Sequence, residues 1–598
     1  MIPRPPTSPA EAPRATGSQF LACKSIDKLI AESENPNQRL RKTLGPWSLT
    51  ALGIGAIIGS GIFVLTGTAA AGEYFQAPNL IHAQVLDLLV NFLHHGGMSG
   101  VLMHGRPPAG PGIALSFLLV AVACSFAGLC YAELASMIPI AGSAYTYSYA
   151  TLGEIFAWII GWDLILEYAV SNVAVAVGFS GYLKAQLASF GVMLPEKWSA
   201  PIYAGGQWTG AYFNLPGFLV VMVLTWLLVR GVRESARTNN IMVLVKLGAI
   251  VLFLVVGGLM VRPANWHPVL PSGFGGVVTG GAIIFFTYIG FDSVSTAAEE
   301  ARNAQHDIPL GIIASLIVCT VLYVGVALVL LGMMPYQMFR SGTEVVQMRL
   351  AQPAPEFERQ LRAAPGQAGR RLGYISVSSD STYRVVVDGE QEQGEQAAQW
   401  MKGLAESQGA AVRSVWVANA AEAPVAYALA ALGSNRFYLT VIIIGALTGM
   451  LSSLLVFQYG QTRVWFAMSR DRLFPSLLSA LHPRFKTPHW STWIAGLIVG
   501  IPAGLVDIGD AADLSNIGTL FAFVLVSLGV IMLRRRQPER PRGFRVPLVP
   551  FFPMISVVLC LGLMTGLTVV TWLRFFVWLV IGLCIYFLYS RKRSEFAR

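Results

Sequence analysis

The sequence predicts an all-α integral membrane protein of twelve transmembrane helices. Three observations carry that reading. Of the 598 residues 54% are hydrophobic and only 12% are charged, about half the roughly 25% usual in a soluble globular chain. Apolar stretches long enough to cross about 30 Å of hydrocarbon recur from Trp47 onward. Finally, the 42 basic residues, which against 32 acidic ones give a net charge of +10, gather in alternate loops. Such gathering is a topology signal, and it accounts for the positive charge without any nucleic acid.

Residues 1–46 begin MIPRPPTSPAEAPRATG and lack the basic start and apolar core of a signal peptide. They read as a disordered cytoplasmic tail. Region 47–335 then carries seven spans: Trp47 to Gly72, Gly110 to Met137, Gly153 to Tyr182, Pro216 to Val229, Ile241 to Val261, Gly276 to Ser295 and Leu310 to Met334. Region 436–590 carries five more: Phe437 to Trp465, Trp490 to Val506, Leu514 to Leu533, Leu548 to Val570 and Phe575 to Tyr589. Residues 591–598 form a short tail. Arg39, Arg41 and Lys42, then Arg230, Arg233 and Arg237, Arg463, Arg470 and Arg472, Arg534 to Arg536, and Arg591 to Arg593 fall on one side. The opposite short loops hold Arg106, Lys184, Lys197, Arg262 and Arg574. Both termini are therefore expected in the cytoplasm.

Two segments interrupt this pattern, both expected outside. The loop 76–109 contains the amphipathic stretch LIHAQVLDLLVNFLHH and four histidines, whose spacing fits no metal-ligand motif, so a surface helix is the expectation. The insertion 336–435 is too polar for a bilayer. Within it GYISVSS, TYRVVVD and VRSVWVA read as strands and GEQAAQWMKGLAES as a helix, a small extracytoplasmic α/β module whose partner the sequence does not reveal. Five of the six cysteines lie in apolar runs and Cys23 in the tail, so neither a disulfide framework nor a metal site is expected. The absence of a GxxxxGK[ST] loop argues against ATP hydrolysis, and no catalytic cluster suggests an enzyme. No cofactor is expected.

Chemistry concentrates at two interruptions of apolar spans. GIGAIIGSGIF, from Gly53 to Phe63, has four glycines in nine residues, which favours either close helix packing or local unwinding. FFTYIGFDSVSTAAEE, from Phe285 to Glu300, puts Gly290 and the ionisable Asp292 inside the sixth span. Spans one to five and six to ten then form two halves, each opening on a broken helix. Because five is odd, the second half enters the membrane inverted. Paired broken helices in inverted repeats point to a transporter site near the bilayer midplane.

The strings GAIIGSGIFV, CYAELASMIPIAGSAYTYSYATLGE, IIGWDLILEY, NNIMVLVK, FFTYIGFDSVSTAAEE and GQTRVWFAMSRDRLFP resemble those of the amino acid, polyamine and organocation (APC) transporters. The likeness is greatest to bacterial members of the cationic amino acid transporter branch, and the two insertions are longer than that family leads one to expect. The resemblance implies a five-plus-five inverted-repeat fold, LeuT-like, in the bacterial inner membrane, carrying an amino acid between helices one and six. It also implies Phe291 as an aromatic gate, Glu167 near the binding region and Lys246 where sodium-driven relatives bind a cation.

The residues agree with that chemistry. Amide N–H groups at Gly59, Ser60, Gly61 and Ile62 can receive a carboxylate, helped by the positive end of the following half-helix. Carbonyls at Phe286, Thr287 and Ile289 can accept from an α-ammonium group, and Met450 can line the side-chain pocket. Asp163 and Glu167, four apart, share a helix face, and a buried charge costs roughly 2.5 to 3.5 kcal/mol on insertion scales. Lys246, in the fifth span, either snorkels to the cytoplasmic face or couples proton release to transport. Glu299 and Glu300 close the sixth span as an inner gate or as solvated end charges. The expected activity is secondary active transport of L-amino acids, cationic or broad in range, by proton symport and alternating access; an exchanger or uncoupled carrier is the alternative and a channel the more remote one. Partners are then the amino acid, the proton and membrane lipid.

Overall fold

The computed structural model describes residues 19–33, 44–74, 79–95, 105–140, 142–190, 192, 194–204, 207–230, 235–298, 301–340, 343–363, 372–377, 381–388, 391–483, 487–594 and 596. In chain order the first helices are α1 Ile26–Ser33, α2 Pro46–Ile57, α3 Ser60–Ala71, α4 Val85–His95, α5 Ile113–Met137, α6 Ser143–Thr151 and α7 Glu154–Ser189. Next come α8 Leu215–Arg230, α9 Ser235–Gly258, α10 Gly273–Ile284, the short α11 Ser293–Thr296 and α12 Ala304–Met333. An inserted α/β segment contributes α13 Pro355–Ala363, α14 Gln391–Ser407 and α15 Pro424–Ala431. The chain then continues through α16 Arg436–Arg470, α17 His489–Ala503, α18 Ile508–Arg536, α19 Phe551–Thr565 and α20 Val569–Ile585.

Among the described residues eight helices, or nine with α2 and α3 counted as one bent span, are long and apolar enough to cross a membrane. The expected fourth, ninth and eleventh spans are α8, α17 and α19, of 16, 15 and 15 residues. At 1.5 Å per residue these are shorter than the roughly 20 residues a full crossing takes. One continuous apolar core joins the helices, while α8, α9 and α20 turn Val223, Leu244, Val255, Phe576 and Val580 outward, as lipid-facing surfaces do.

Ion pairs and hydroxyls tie the chain together at the end where α5, α16 and α18 finish. Glu133, at the end of α5, accepts from Arg534 and Arg542 and from the Val546 N–H. Residues 19–33, expected to be disordered, are ordered here: Ile26 and Leu29 are buried, and Lys24 pairs with Asp471 at 2.8 Å. Tyr145, Tyr147 and Tyr149 of α6 are buried as well. Two of them sink because carboxylates await them: Tyr145 Oη donates to Asp471 at 2.6 Å and Tyr149 Oη to Glu154 at 3.1 Å.

The insertion folds into four strands, β1 Thr343–Leu350, β2 Leu372–Val377, β3 Thr382–Asp388 and β4 Val412–Ala418, in the order β2-β3-β1-β4. All neighbours are antiparallel, and β1-α13-β2-β3-α14-β4 is the ferredoxin-like, double split βαβ arrangement. Sequence patterning identifies β2, β3, β4 and α14; it does not identify the central strand β1. One face of the sheet, with Val346, Met348, Val385 and Val387, packs on Phe357, Leu361 and Met401 of the two helices.

Candidate functional site

The glycine-rich stretch of the first span does break. Helix α2 stops at Ile57, α3 starts at Ser60, and the two halves are bent by 42°. Stopping a helix orphans its last carbonyls, and at membrane depth each must find a donor. Here the donors come from three other helices. Lys246 Nζ of α9 donates to the carbonyls of Gly55 and Ile58, both at 2.8 Å. Ser452 Oγ of α16 reaches Gly55 at 3.3 Å and Ser453 Oγ reaches Ala56 at 3.1 Å. Tyr323 Oη of α12 donates to Ile57 at 3.0 Å. Lys246 is fully buried, so it braces the break rather than snorkelling to an interface. Gly449 leaves room for it: a Cβ there would stand 3.2 Å from Lys246 Cδ.

The other side of the break lacks such provision. The N-cap of α3 is Gly59, with no side-chain cap, so the first-turn amides at Ser60, Gly61 and Ile62 carry the orphan donors of a buried helix start. Ser60 Oγ is buried among them with no hydrogen-bond partner. Uncapped amides at the positive end of a helix form a ready site for a carboxylate.

The sixth span breaks at the same level. Helix α10 ends at Ile284, a 3-10 turn covers Phe285–Tyr288, and the chain is not helical again until Ser293. Gly290 supplies the bend with φ +117°, a conformation side-chain-bearing residues rarely adopt, and a Cβ there would lie 2.9 Å from Ala56 Cβ. Asn516 Nδ2 of α18 donates to the Ala282 carbonyl at 2.8 Å, and Thr287 Oγ1 to that of Ile284 at 2.7 Å. The Tyr323 hydroxyl also lies 2.8 Å from the Thr287 carbonyl, so its one proton is shared between the two breaks.

Gly61 and Thr287 lie face to face. A Cβ on Gly61 would come within 2.7 Å of Thr287 Cγ2 and 3.0 Å of its Cα, so this glycine permits the two broken segments to touch. Of the carbonyls expected to receive an ammonium group, that of Phe286 accepts from Ile289 N–H at 3.3 Å and that of Thr287 from Tyr323. Each retains a second lone pair. Phe286, Ile289 and Met450 are buried apolar groups, and Phe291 packs against Phe523 and Tyr131 with ring centroids 5.0 and 5.9 Å away.

Carboxylates collect beside this centre. Glu167 is buried within electrostatic reach of Asp292 and Asp163, and its Oε1 has no hydrogen-bond partner. Both oxygens of Asp163 lack partners, whereas Asp292 accepts from Tyr168 Oη at 3.0 Å through one oxygen only. Glu299 and Glu300 lie outside the described residues. Among the described residues no three His, Cys, Asp or Glu side chains are arranged to hold a metal ion. The groups that sequence reasoning omits are Tyr323, Ser452, Ser453 and Asn516, hydroxyl and amide side chains set singly or in a pair within apolar runs.

Two broken helices that meet inside an apolar bundle, their exposed backbone completed in part by neighbouring side chains, define a multi-helix membrane protein with an interrupted centre. Residues 88–357 match the family model for amino acid permeases, and residues 544–594 match the model for the permease C-terminus. The chain is 41% identical over 574 residues to the branched-chain amino acid permease BcaP of Bacillus subtilis, covering 96% of this chain and 98% of that protein. It is 38% identical over 577 residues to the methylthioribose transporter of the same organism, with 96% and 99% covered. The vacuolar cationic amino acid transporter 4 of Arabidopsis thaliana is 29% identical over 526 residues, with 86% and 67% covered. The chain belongs to the amino acid permeases of the APC superfamily. It is a multi-pass membrane transporter and not an enzyme.

Proposed function

We propose that the protein is a proton-coupled symporter of L-amino acids that works by alternating access in the bacterial inner membrane, with both termini cytoplasmic. Its twelve spans form two inverted five-helix repeats followed by α19 and α20, with the short helices α8, α17 and α19 as the fourth, ninth and eleventh spans. The substrate carboxylate sits on the amides of Ser60, Gly61 and Ile62; the expected fourth donor, the Gly59 N–H, is turned to the Ile57 carbonyl at 3.0 Å. Its ammonium faces the carbonyls of Phe286, Thr287 and Ile289. Phe291 covers it, Met450 and Phe286 contact the side chain, and Glu167 attracts a cationic side chain. Glu299 and Glu300 contribute to an inner gate.

The single observation that carries this reading is Lys246, a buried ammonium bonded to two carbonyls of the unwound first span. A charge in that position holds the break together, and losing its proton loosens it, which links proton occupancy to the shape of the site. Substrate range is cationic or broad; relatives named for branched-chain and for cationic amino acids are consistent with an apolar pocket flanked by a carboxylate. The test is uptake by purified protein in liposomes, competed with twenty amino acids, with and without an inward-acid pH step. Accumulation that requires the pH step supports symport. Counterflow that ignores it makes the protein an exchanger or uncoupled carrier.

A further inference from the structure

The ferredoxin-like insertion interrupts the segment that covers the outer half of the first span. Chain leaving α12 forms a 3-10 turn, Tyr336–Phe339, before β1, and chain leaving β4 forms α15. Both flanking pieces press on α3: a Cβ on Gly67 would meet Pro424 Cβ at 2.9 Å and Phe339 Cβ at 3.0 Å. The same cover reaches α7. Lys184 pairs with Glu422 at 2.5 Å, and Tyr182, which donates to the Phe63 carbonyl of α3 at 2.8 Å, lies beneath it.

The module grips this cover with the sheet face its own helices leave open. Arg384 of β3, itself buried, donates through Nη2 to the Ala431 carbonyl at the end of α15 at 2.9 Å, while its Nε holds Gln347 of β1 at 2.8 Å. Trp416 of β4 stacks on Tyr427 of α15 with centroids 5.3 Å apart. Val345 and Val386, from the same face, join the apolar core of the membrane helices. A rigid domain with its own core is therefore fastened to a helix that rests on α3.

We propose that the insertion is a clamp on outward opening. While its sheet stays docked, α15 cannot lift from α3 and the outer side of the site stays closed; anything that draws the module away releases the cover. The proposal rests on the reading of the two breaks as the substrate site, because that reading makes α3 the wall that must move. The fold also provides the means of testing it. Val345 pairs with Ala418, so the module's entry and exit are adjacent strands about 5 Å apart. Residues 344–418 can be replaced by a short glycine linker that leaves α15 and the 3-10 turn in place.

The experiment compares three otherwise identical chains carrying Ser60→Cys: the full chain, the excised chain, and a full chain with Arg384→Gln and Trp416→Ala, which keeps the module but unfastens it. Labelling from outside by an impermeant thiol reagent reports outward opening. Both altered chains should label about threefold faster or more, as expected of a modest shift between two states. If either fails to insert, the other still decides. Equal rates in all chains, with substrate still protecting Ser60→Cys from the reagent, would overturn the clamp. Loss of substrate protection in the full chain would instead count against the site.

Discussion

Replacing Lys246 with methionine keeps most of the buried stem and deletes the ammonium. Two charge-assisted hydrogen bonds disappear. The Ser452 hydroxyl stands 3.3 Å from the Gly55 carbonyl but has Asn239 Oδ1 nearer, at 2.9 Å, so the loss falls on Gly55 as well as on Ile58. One buried carbonyl left without its donor costs about 1–3 kcal/mol, and in a two-state element that corresponds to a shift of roughly 5- to 150-fold. The penalty acts on the broken state of the first span without removing the α3 amides that hold the substrate. Lys246→Met should therefore bind substrate within about tenfold of wild type, since 1.4 kcal/mol is tenfold in affinity. It should exchange substrate down a gradient and lose accumulation driven by an inward-acid pH step. Arginine should not rescue it, being larger and permanently charged. The assay is uptake by purified protein in liposomes with and without the pH step, alongside equilibrium binding in detergent. Full pH-driven accumulation by Lys246→Met would refute the reasoning and move the proton to Glu167 or Asp292.

Other outcomes follow from the same geometry. Gly61→Ala should impair transport by overpacking against Thr287, at about 1–3 kcal/mol, and Thr287→Ser should restore part of the loss by removing Cγ2; independent effects in the double-mutant cycle would deny the contact. Tyr323→Phe removes the one hydroxyl proton shared by the carbonyls of Ile57 and Thr287 and should lower thermal stability and uptake together, by about 1–3 kcal/mol in all, since Ile57 keeps the Gly59 N–H; an unchanged melting temperature would show that the bridge holds nothing. Glu167→Gln should weaken arginine more than alanine if its carboxylate faces the side chain, whereas equal loss makes it structural. A cysteine at the exposed Ser407 of α14 should react with an impermeant reagent on intact cells and one at the exposed Ser476 should not; the reverse would invert the topology.

The two breaks were legible because their signals are rare in apolar sequence: clustered glycines in one span, a glycine beside an aspartate in the other. Lys246 stood out for the same reason, a charge among aliphatic residues. Tyr323, Ser452 and Ser453 carried no comparable signal, because a hydroxyl in a membrane helix can satisfy itself on the carbonyl one turn back and reads as neutral until the neighbouring helix is known. The burial of the α6 tyrosines has no local signal either: it takes Asp471, 326 residues away from Tyr145, and Glu154, five from Tyr149, to receive their hydroxyls. In the insertion, TEVVQMRL passes unread although Val346, Met348 and Leu350 alternate with Gln347 and Arg349 and turn toward the module's helices, the period-2 pattern of a strand.

The central claim is that the uncapped start of α3 binds a substrate carboxylate, and equilibrium binding tests it most directly. Purified protein should be titrated with its preferred L-amino acid and with the α-carboxamide of the same compound, identical in side chain and ammonium group. Hydrogen bonds to a charged group are worth about 1.5–3 kcal/mol, so the carboxamide should bind roughly 10- to 150-fold more weakly. Equal affinities for acid and amide would contradict the account and remove the substrate from Ser60 to Ile62.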